Sequence, residues 1–531
     1  MENFLERNNL RIKSWGLWLF SLFILMINLN QPPIYILDEA KNAECAREMM
    51  LSDNFIVPYF NLELRTDKPP LHYFFMVLAY KIFGVSSFSA RFFSVIFGAS
   101  AILISFLFSR KFLGERIAWL TAIVLLTSLH FTFQMRLAVS DPYLIFWMCG
   151  SFMSFFLFLS GKKKHWLWLM YIAFGLGFLT KGPIAIALPA LIMLVFLLIT
   201  RRFNWPLIRS FNLGAGVLIV LLVAFPWYAL NYFQSHGVWT REFFLYHNLG
   251  RFSETMEGHR GFFLLPLFIM IVGLLPMGAF LIQSLWFSWK KRDQELVLFC
   301  FLITVITVLF FSVSKTQLPN YTVPAYPFAA ILIAVFLDEI SRKTISVKGI
   351  GWSYFLYSIF AVAIPLAVYF GLKADADLKT YRYLWIFFLA LPLGLLPGWY
   401  FLVKKRFNYL LATMILSFFI SNFFFFWKAY PAVYSANPVS VSLPLVQKKE
   451  HLVYYKMLNP AYIFTLQQTI PRIGDLTELK NYVRQNPDAV IISRKEFMEE
   501  ILSTGDFKLI FEQRNTLETP VTVIFTGRRR G

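Results

Sequence analysis

From residue 15 to about residue 427 the chain is a succession of apolar runs, each roughly 17 to 25 residues long, the length an α-helix needs to cross a ~30 Å hydrocarbon layer. Inside such a layer each backbone N–H and C=O must find its partner within the structure, so runs of this kind read as spanning helices. Thirteen are expected, near 15–31, 88–109, 114–131, 142–160, 166–180, 182–200, 211–231, 262–287, 294–313, 320–341, 350–371, 382–402 and 408–427. The expected fold class is therefore an all-α polytopic membrane protein. A cleavable signal peptide is not expected, because the first run lacks a small-residue cleavage site.

Composition enters through charge. Only 15% of the 531 residues are charged and 58% are hydrophobic, against about 25% charged in soluble domains. Fifty Lys and Arg against thirty Asp and Glu give +20, a balance that by itself suggests nucleic acid. Its distribution says otherwise. Basic clusters fall in every second connection, at Arg7/Arg11/Lys13, Arg110/Lys111/Arg116, Lys162 to Lys164, Arg201/Arg202/Arg209, Lys290 to Arg292, Arg342/Lys343/Lys348 and Lys404 to Arg406. This alternation is an orientation signal facing anionic headgroups. It puts the N-terminus in the cytoplasm, and an odd number of spans puts the C-terminal tail on the opposite, non-cytoplasmic side. No nucleic-acid partner is expected. Cys45, Cys149 and Cys300 lie far apart without CxxC or Cys/His spacing, so neither a disulfide framework nor a thiolate metal site is indicated.

Two outer connections, 32–87 and 232–261, are too long for turns, and long loops are where function concentrates. The first reads as interfacial amphipathic helices: Asp38 to Met50, ending before Asp53-Asn54, and a second, aromatic one from Lys68-Pro69-Pro70 through Gly84. After a membrane domain over 1–428, residues 429–531 alternate β-rich runs (Leu452 to Lys456, Ile463 to Leu466, Ala489 to Ser493, Val521 to Phe525) with helical patterns (Asp475 to Arg484, Arg494 to Leu502). That pattern predicts a small soluble α/β domain. Neither an internal repeat nor a nucleotide-binding glycine loop is present, so no nucleotide cofactor is expected.

Ionisable residues at membrane depth usually mark a pathway or a site. Asp38-Glu39 opens the first outer loop, and on a helix Asp38, Lys41 and Cys45 share one face while Glu39 points elsewhere. The plain alternative is that Asp38 caps the helix. Arg65-Thr66-Asp67-Lys68 precedes a proline pair that fixes the backbone, or is a loop-to-helix cap with an incidental ion pair. Asp141-Pro142 is a cavity-mouth carboxylate or an ordinary helix start. Lys181 lies in a tight outer connection where it can also snorkel to the interface. His259-Arg260 closes the second long loop, and Tyr321 is a site residue or a belt aromatic. The first three groups, Asp38-Glu39, Arg65 to Lys68 and Asp141, fall on one membrane face by a charge count that ignores them.

Through LDEAKNAECAREM, TDKPPLHYF, RLAVSDPYLIFW, GFLTKGPIAIALP, EGHRGFFLLP and SKTQLPNYTVPAYP, residues 15 to 340 resemble the aminoarabinose (lipid A) transferase-like branch of the protein O-mannosyltransferase superfamily, glycosyltransferases of the GT-C fold. The resemblance implies Asp38 as the catalytic carboxylate, with Asp141 as a further acidic cavity residue. It implies Lys41, Lys68, Lys181, Arg260 and Tyr321 around the phosphate of a polyprenyl-phosphate sugar donor. It implies Asp67 and His259 as a pair able to hold a divalent metal such as zinc. Lys41 stands where the family commonly has Arg, Asn42 where the aminoarabinose branch tends to have Tyr, and Asp67 where Glu precedes Lys-Pro.

Nucleotide sugars stay in the cytoplasm, so an outward-facing transferase must use a lipid-linked donor whose leaving group is a polyprenyl phosphate. Cations stabilise the charge that grows on that phosphate while the sugar becomes oxocarbenium-like. Asp38 orients the acceptor and takes its proton if it is a hydroxyl, and single displacement inverts the anomeric carbon. The expected acceptor is a lipid such as lipid A. The alternatives are Ser/Thr of an exported protein, or a flippase that moves lipid-linked sugar unaltered.

Overall fold

The computed structural model describes residues 2–250, 261–342 and 349–527. Among them eight helices are long and apolar enough to cross a membrane: Ser87–Leu113, Asp141–Gly161, Trp205–Gln234, Glu295–Ser312, Pro319–Ser341, Ile350–Ala374, Lys379–Val403 and Phe407–Ser435. The other expected spans lie on helix that is shorter or more polar, at Glu2–Met26, Glu115–Thr127, Lys164–Lys181 and Ile184–Ile199. The run at 262–287 is not one helix. It divides into Leu265–Gly273, a 3-10 turn at Met277–Phe280 and Leu281–Lys290, because Gly273 and Pro276 interrupt an otherwise apolar stretch. The chain is a multi-pass membrane protein.

Polar contacts sort the connections into two faces. On one, Lys13 and Arg110 meet Glu115, Arg116 and Arg342 meet Asp338, Arg202 meets Glu295, and Lys291 meets Glu339. On the other, residues of the first outer loop meet residues near 91, 138, 242 and 470. Lys164–Lys181 reaches that second face packed tightly on Trp205–Gln234. A Cβ at Gly216 would lie 2.3 Å from the Tyr171 ring and one at Gly175 2.8 Å from Val223, so small residues set the helix spacing here.

The first outer loop holds the helix Leu37–Ser52, closed by Asp53 in the left-handed region (φ 51°), and the helix Leu71–Phe83, closed by Gly84 at φ 77°. Between them β1 (Tyr59–Phe60) and β2 (Glu63–Leu64) pair antiparallel. Asn61 and Leu62 both have positive φ, the twist a two-residue hairpin requires.

The helical path from Phe407 runs on to Ser435, so the expected boundary at 429 falls inside it. The sheet beyond comprises β3 (Leu452–Tyr455), β4 (Arg472–Ile473), β5 (Val490–Arg494), β6 (Phe507–Arg514) and β7 (Val521–Gly527) in the order β4-β3-β5-β7-β6. The first three are mutually parallel and the last two antiparallel. The expected strand at Ile463 to Leu466 is instead helix, Ala461–Leu466. Asn459 accepts the Ala461 N–H and Pro460 begins the turn, a start signal stronger than a four-residue apolar run. Leu452, Tyr454, Val490, Ile492 and Ile524 share a core with Ile34, Tyr35, Ala40 and Met49 of the outer loop. Their neighbours Val453, Tyr455, Ile491, Val523 and Phe525 pack on Leu479, Val483 and Ile501. Period-two alternation thus buries both faces, and one of them against the segment that carries Asp38.

Candidate active site

The adjacent acids Asp38 and Glu39 have opposite surroundings. Glu39 is fully buried and takes a two-pronged ion pair from Arg91, Nε to Oε1 at 2.7 Å and Nη2 to Oε2 at 2.8 Å. Its Oε1 also accepts the Ala138 N–H at 2.9 Å, and Arg91 donates to the carbonyls of Leu29 and Pro32. This knot ties the loop helix to the helix Ser87–Leu113 and to the turn before Asp141. Asp38 is exposed and lies in the first turn of Leu37–Ser52, where Ile36 is the N-cap and no side chain caps the helix. The capping alternative for Asp38 therefore does not apply.

The segment 65–68 is held from three sides. Arg65 donates Nε and Nη2 to the two oxygens of Asp67 at 2.7 and 3.1 Å, and Nη2 also reaches Asn42 Oδ1 at 2.8 Å. Trp239 donates to the Arg65 carbonyl at 2.9 Å. Thr66 donates to Glu242 at 2.8 Å and lies 3.2 Å from His247 Nε2. Since the Thr66 hydroxyl has one proton, the His247 Nε2 is the donor in the second contact. Burial alone would raise the Asp67 carboxyl, but Arg65 and then Lys68 hold it well below the usual carboxylate range, and Lys41 adds to the effect. Arg65 is buried, and its Nη1 has no partner among the described residues.

Asp141, in the first turn of Asp141–Gly161, accepts from Lys181 Nζ at 2.5 Å, from Asn320 at 2.8 Å and from Gln134 at 3.1 Å. Lys181 Nζ also lies 5.8 Å from the centre of the Tyr321 ring, a cation–π distance. These groups line one cavity of about 470 Å³, whose wall includes Asp67, Lys68, Asp141, Lys181, His247, Asn320 and Tyr321. The rest of the wall is largely apolar, with Leu144, Ile184, Leu188, Phe310 and Phe311. One polar end with two lysines and a long apolar flank suits a phosphate on a hydrocarbon chain.

Five of the nine residues expected at the site thus meet in one cavity. Asp38 and Lys41 are not in its wall; Lys41 is near enough to Asp67 to lower its carboxyl, which puts this face of the helix beside the polar end. His259 and Arg260 lie outside the described residues. Reading the sequence did not single out Arg91, Asn320, Gln134, Glu242 or His247. Asn320 stood within a quoted motif, whereas Arg91 sits in an apolar helix, and an arginine in such a run is itself a signal of a buried partner.

The divalent metal implied by the resemblance is not well matched by Asp67 as this chain holds it. Both carboxylate oxygens are engaged by a guanidinium, and Lys68 Nζ stands 3.8 Å away. No group of three or more His, Cys, Asp or Glu among the described residues could hold a metal.

The family described as dolichyl-phosphate-mannose-protein mannosyltransferase matches residues 15–241. An uncharacterized protein of Aquifex aeolicus is 30% identical over 390 residues, 72% of this chain and 72% of its own length. A Yersinia pestis protein named undecaprenyl phosphate-alpha-4-amino-4-deoxy-L-arabinose arabinosyl transferase is 29% identical over 389 residues, 70% of this chain and 68% of that one. In fold, the chain is similar to ArnT from Cupriavidus metallidurans, solved bound to undecaprenyl phosphate, with a TM-score of 0.77 at 22% identity over 97% of this chain and 98% of that one. The oligosaccharyltransferase AglB from Archaeoglobus fulgidus is more distant, with a TM-score of 0.53 at 12% identity over 92% of this chain and 70% of that one.

Proposed function

Because the chain belongs to the aminoarabinose transferase-like glycosyltransferases of the protein O-mannosyltransferase superfamily, we propose that it moves a sugar from a polyprenyl-phosphate donor to a lipid acceptor at the periplasmic face of the inner membrane. The observation that carries this reading is the cavity itself, with Lys68 and Lys181 at one end and Ile184, Leu188, Phe310 and Phe311 along its flank. The names of the Yersinia relative and of the Cupriavidus structure support undecaprenyl phosphate as the lipid of the donor.

In this reading the anomeric C–O bond to phosphate breaks with its electron pair leaving on the phosphate. Lys68 and Lys181 stabilise the growing charge, Lys181 held in place by Asp141 and Tyr321 lying against it. Arg260 is assigned to the same phosphate on the resemblance alone. Preset cations cost no reorganisation as charge develops, so they favour the transition state over the bound donor. Asp38, exposed on the same loop helix as Lys41, orients the acceptor and takes its proton when the acceptor is a hydroxyl; an acceptor phosphate has no proton to give. The acceptor oxygen attacks the face opposite the leaving group, so the configuration inverts. The N-terminus is assigned to the cytoplasm and the sheet domain to the periplasm, from the basic connections on the face opposite the cavity.

Mass spectrometry of glycolipids from cells with and without an active copy tests the reading: a lipid species carrying one added sugar is expected only with the active copy, and identical lipid profiles contradict it. One observation favours a second acceptor. The matching family is described by transfer to protein, and label from a membrane donor recovered in envelope protein instead of glycolipid would decide for it.

A further inference from the structure

The pair Arg65–Asp67 carries a conclusion that the resemblance does not predict. We propose that the Arg65 guanidinium occupies, at Asp67, the place of the divalent metal, so that Arg65 is a positioning residue for the donor-phosphate end of the cavity and this chain works without a bound metal. The positioning half rests on the proposed transferase reaction; the metal half does not.

The contact is a fork: Nε and Nη2 meet the two Asp67 oxygens at 2.7 and 3.1 Å, the planar two-bond geometry that a guanidinium offers and an ammonium does not. It is also immobilised. Arg65 is buried, its Nη2 is shared with Asn42 of the helix Leu37–Ser52, and its carbonyl is held by Trp239. A carboxylate met in this way has the edge that would chelate a cation with both oxygens already occupied.

Length supplies the reason. Asp67 stands where the resemblance has glutamate, and a side chain shorter by one methylene keeps its carboxylate close to its own backbone, within reach of the residue two positions before it. Charge points the same way. Arg65, Lys68 at 3.8 Å and Lys41 all act on Asp67, so a divalent cation brought to this carboxylate meets positive charge already in place. The guanidinium supplies a permanent positive charge where the ion would have supplied one, and by fixing Asp67 it fixes the adjacent Lys68 at the cavity wall.

The test uses the full-length chain purified in detergent. Wild type, Arg65→Lys and Arg65→Ala are stripped with chelator, then titrated with zinc chloride while bound metal is counted by elemental analysis. Wild type is expected to take up no stoichiometric zinc, and its transfer rate is expected to be the same with chelator and with zinc. Arg65→Ala, which frees the carboxylate, is expected to gain saturable zinc binding that Asp67→Asn in the same background removes. Arg65→Lys, which keeps the charge and loses the fork, is expected to transfer roughly 10- to 100-fold more slowly and faster than Arg65→Ala. Stoichiometric zinc in wild type, with activity lost to chelator and restored by zinc, overturns the proposal. If Arg65→Ala does not fold, the wild-type zinc count and the Arg65→Lys rate decide it. If wild type transfers no sugar from any polyprenyl-phosphate donor, the transferase reading fails while the zinc count still decides the metal half.

Discussion

Lys181 Nζ lies 2.5 Å from Asp141 Oδ1, a contact between residues 40 apart in the chain that joins two helices at the cavity wall. Asp141 also accepts from Asn320 and Gln134, so its acceptor sites are largely used in holding its neighbours, Lys181 among them. Lys181→Met and Asp141→Asn are therefore expected to slow transfer by similar factors, roughly 100-fold. The double variant is expected to be little worse than either single one, because both remove the same interaction. Losses that multiply in the double variant contradict this coupling.

The neighbouring acids Asp38 and Glu39 are expected to separate stability from activity. Removing one partner of a buried pair leaves an uncompensated charge, at a cost of about 3–5 kcal/mol, so Glu39→Ala should unfold in detergent at a clearly lower temperature. Asp38→Ala, at an exposed position, should stay within about 0.5 kcal/mol of wild type while losing at least ~100-fold in transfer rate. Thermal unfolding and rate measured on the same preparations check both halves. An Asp38→Ala chain that transfers at the wild-type rate removes that residue from the site.

The depressed carboxyl of Asp67 fixes the sign of one pH effect. A carboxylate held below its unfolded value adds stability that is complete above that value, about 3.9 for aspartate, and that is withdrawn as pH falls below it toward the folded value. The stability difference between wild type and Asp67→Asn is expected to be constant from about pH 8 to pH 5 and to shrink below about pH 4. A difference unchanged across the acid range would mean that Asp67 is not held by Arg65 and Lys68.

The hairpin tip joins the sheet domain to the loop that carries Asp38. Asn61 Nδ2 donates to the Ile470 carbonyl and Asn61 Oδ1 accepts the Ile470 N–H, both at 2.9 Å. Asn61→Gly keeps the positive φ that the turn needs and loses both bonds, at an expected cost of about 1–3 kcal/mol. Hydrogen exchange should rise in residues 37–64 as well as in the sheet. Faster exchange confined to the sheet would show that the domain does not brace the loop.

Much of the fold was legible because the lipid environment imposes long apolar runs and the basic connections alternate regardless of tertiary detail. The helix Leu71–Phe83 announced both its ends through Pro69-Pro70 and Gly84. Local signals failed where short range was ambiguous. Ile463 to Leu466 has an apolar run too short to show a period, and β6 was not picked out because Lys508 and Glu512 interrupt its apolar pattern. Residues 262–287 read as one span because the breaks are two residues within an apolar stretch. At the cavity, Lys68, Asp141, Lys181 and Tyr321 were found as residues, but their partners were not: Glu39 finds Arg91 across 52 positions and Asp141 finds Asn320 across 179, separations that no local pattern encodes.

Transfer of sugar from a polyprenyl phosphate at this cavity can be measured with purified protein. The most direct measurement places the purified chain in vesicles with a radiolabelled polyprenyl-phosphate sugar and a phosphoglycolipid acceptor. Label is expected to leave the prenyl lipid and appear on the acceptor in inverted configuration, and Lys68→Met is expected to slow this by roughly 100-fold. Label that stays on the prenyl lipid with the wild-type chain, or transfer that proceeds equally with Lys68→Met, would contradict it.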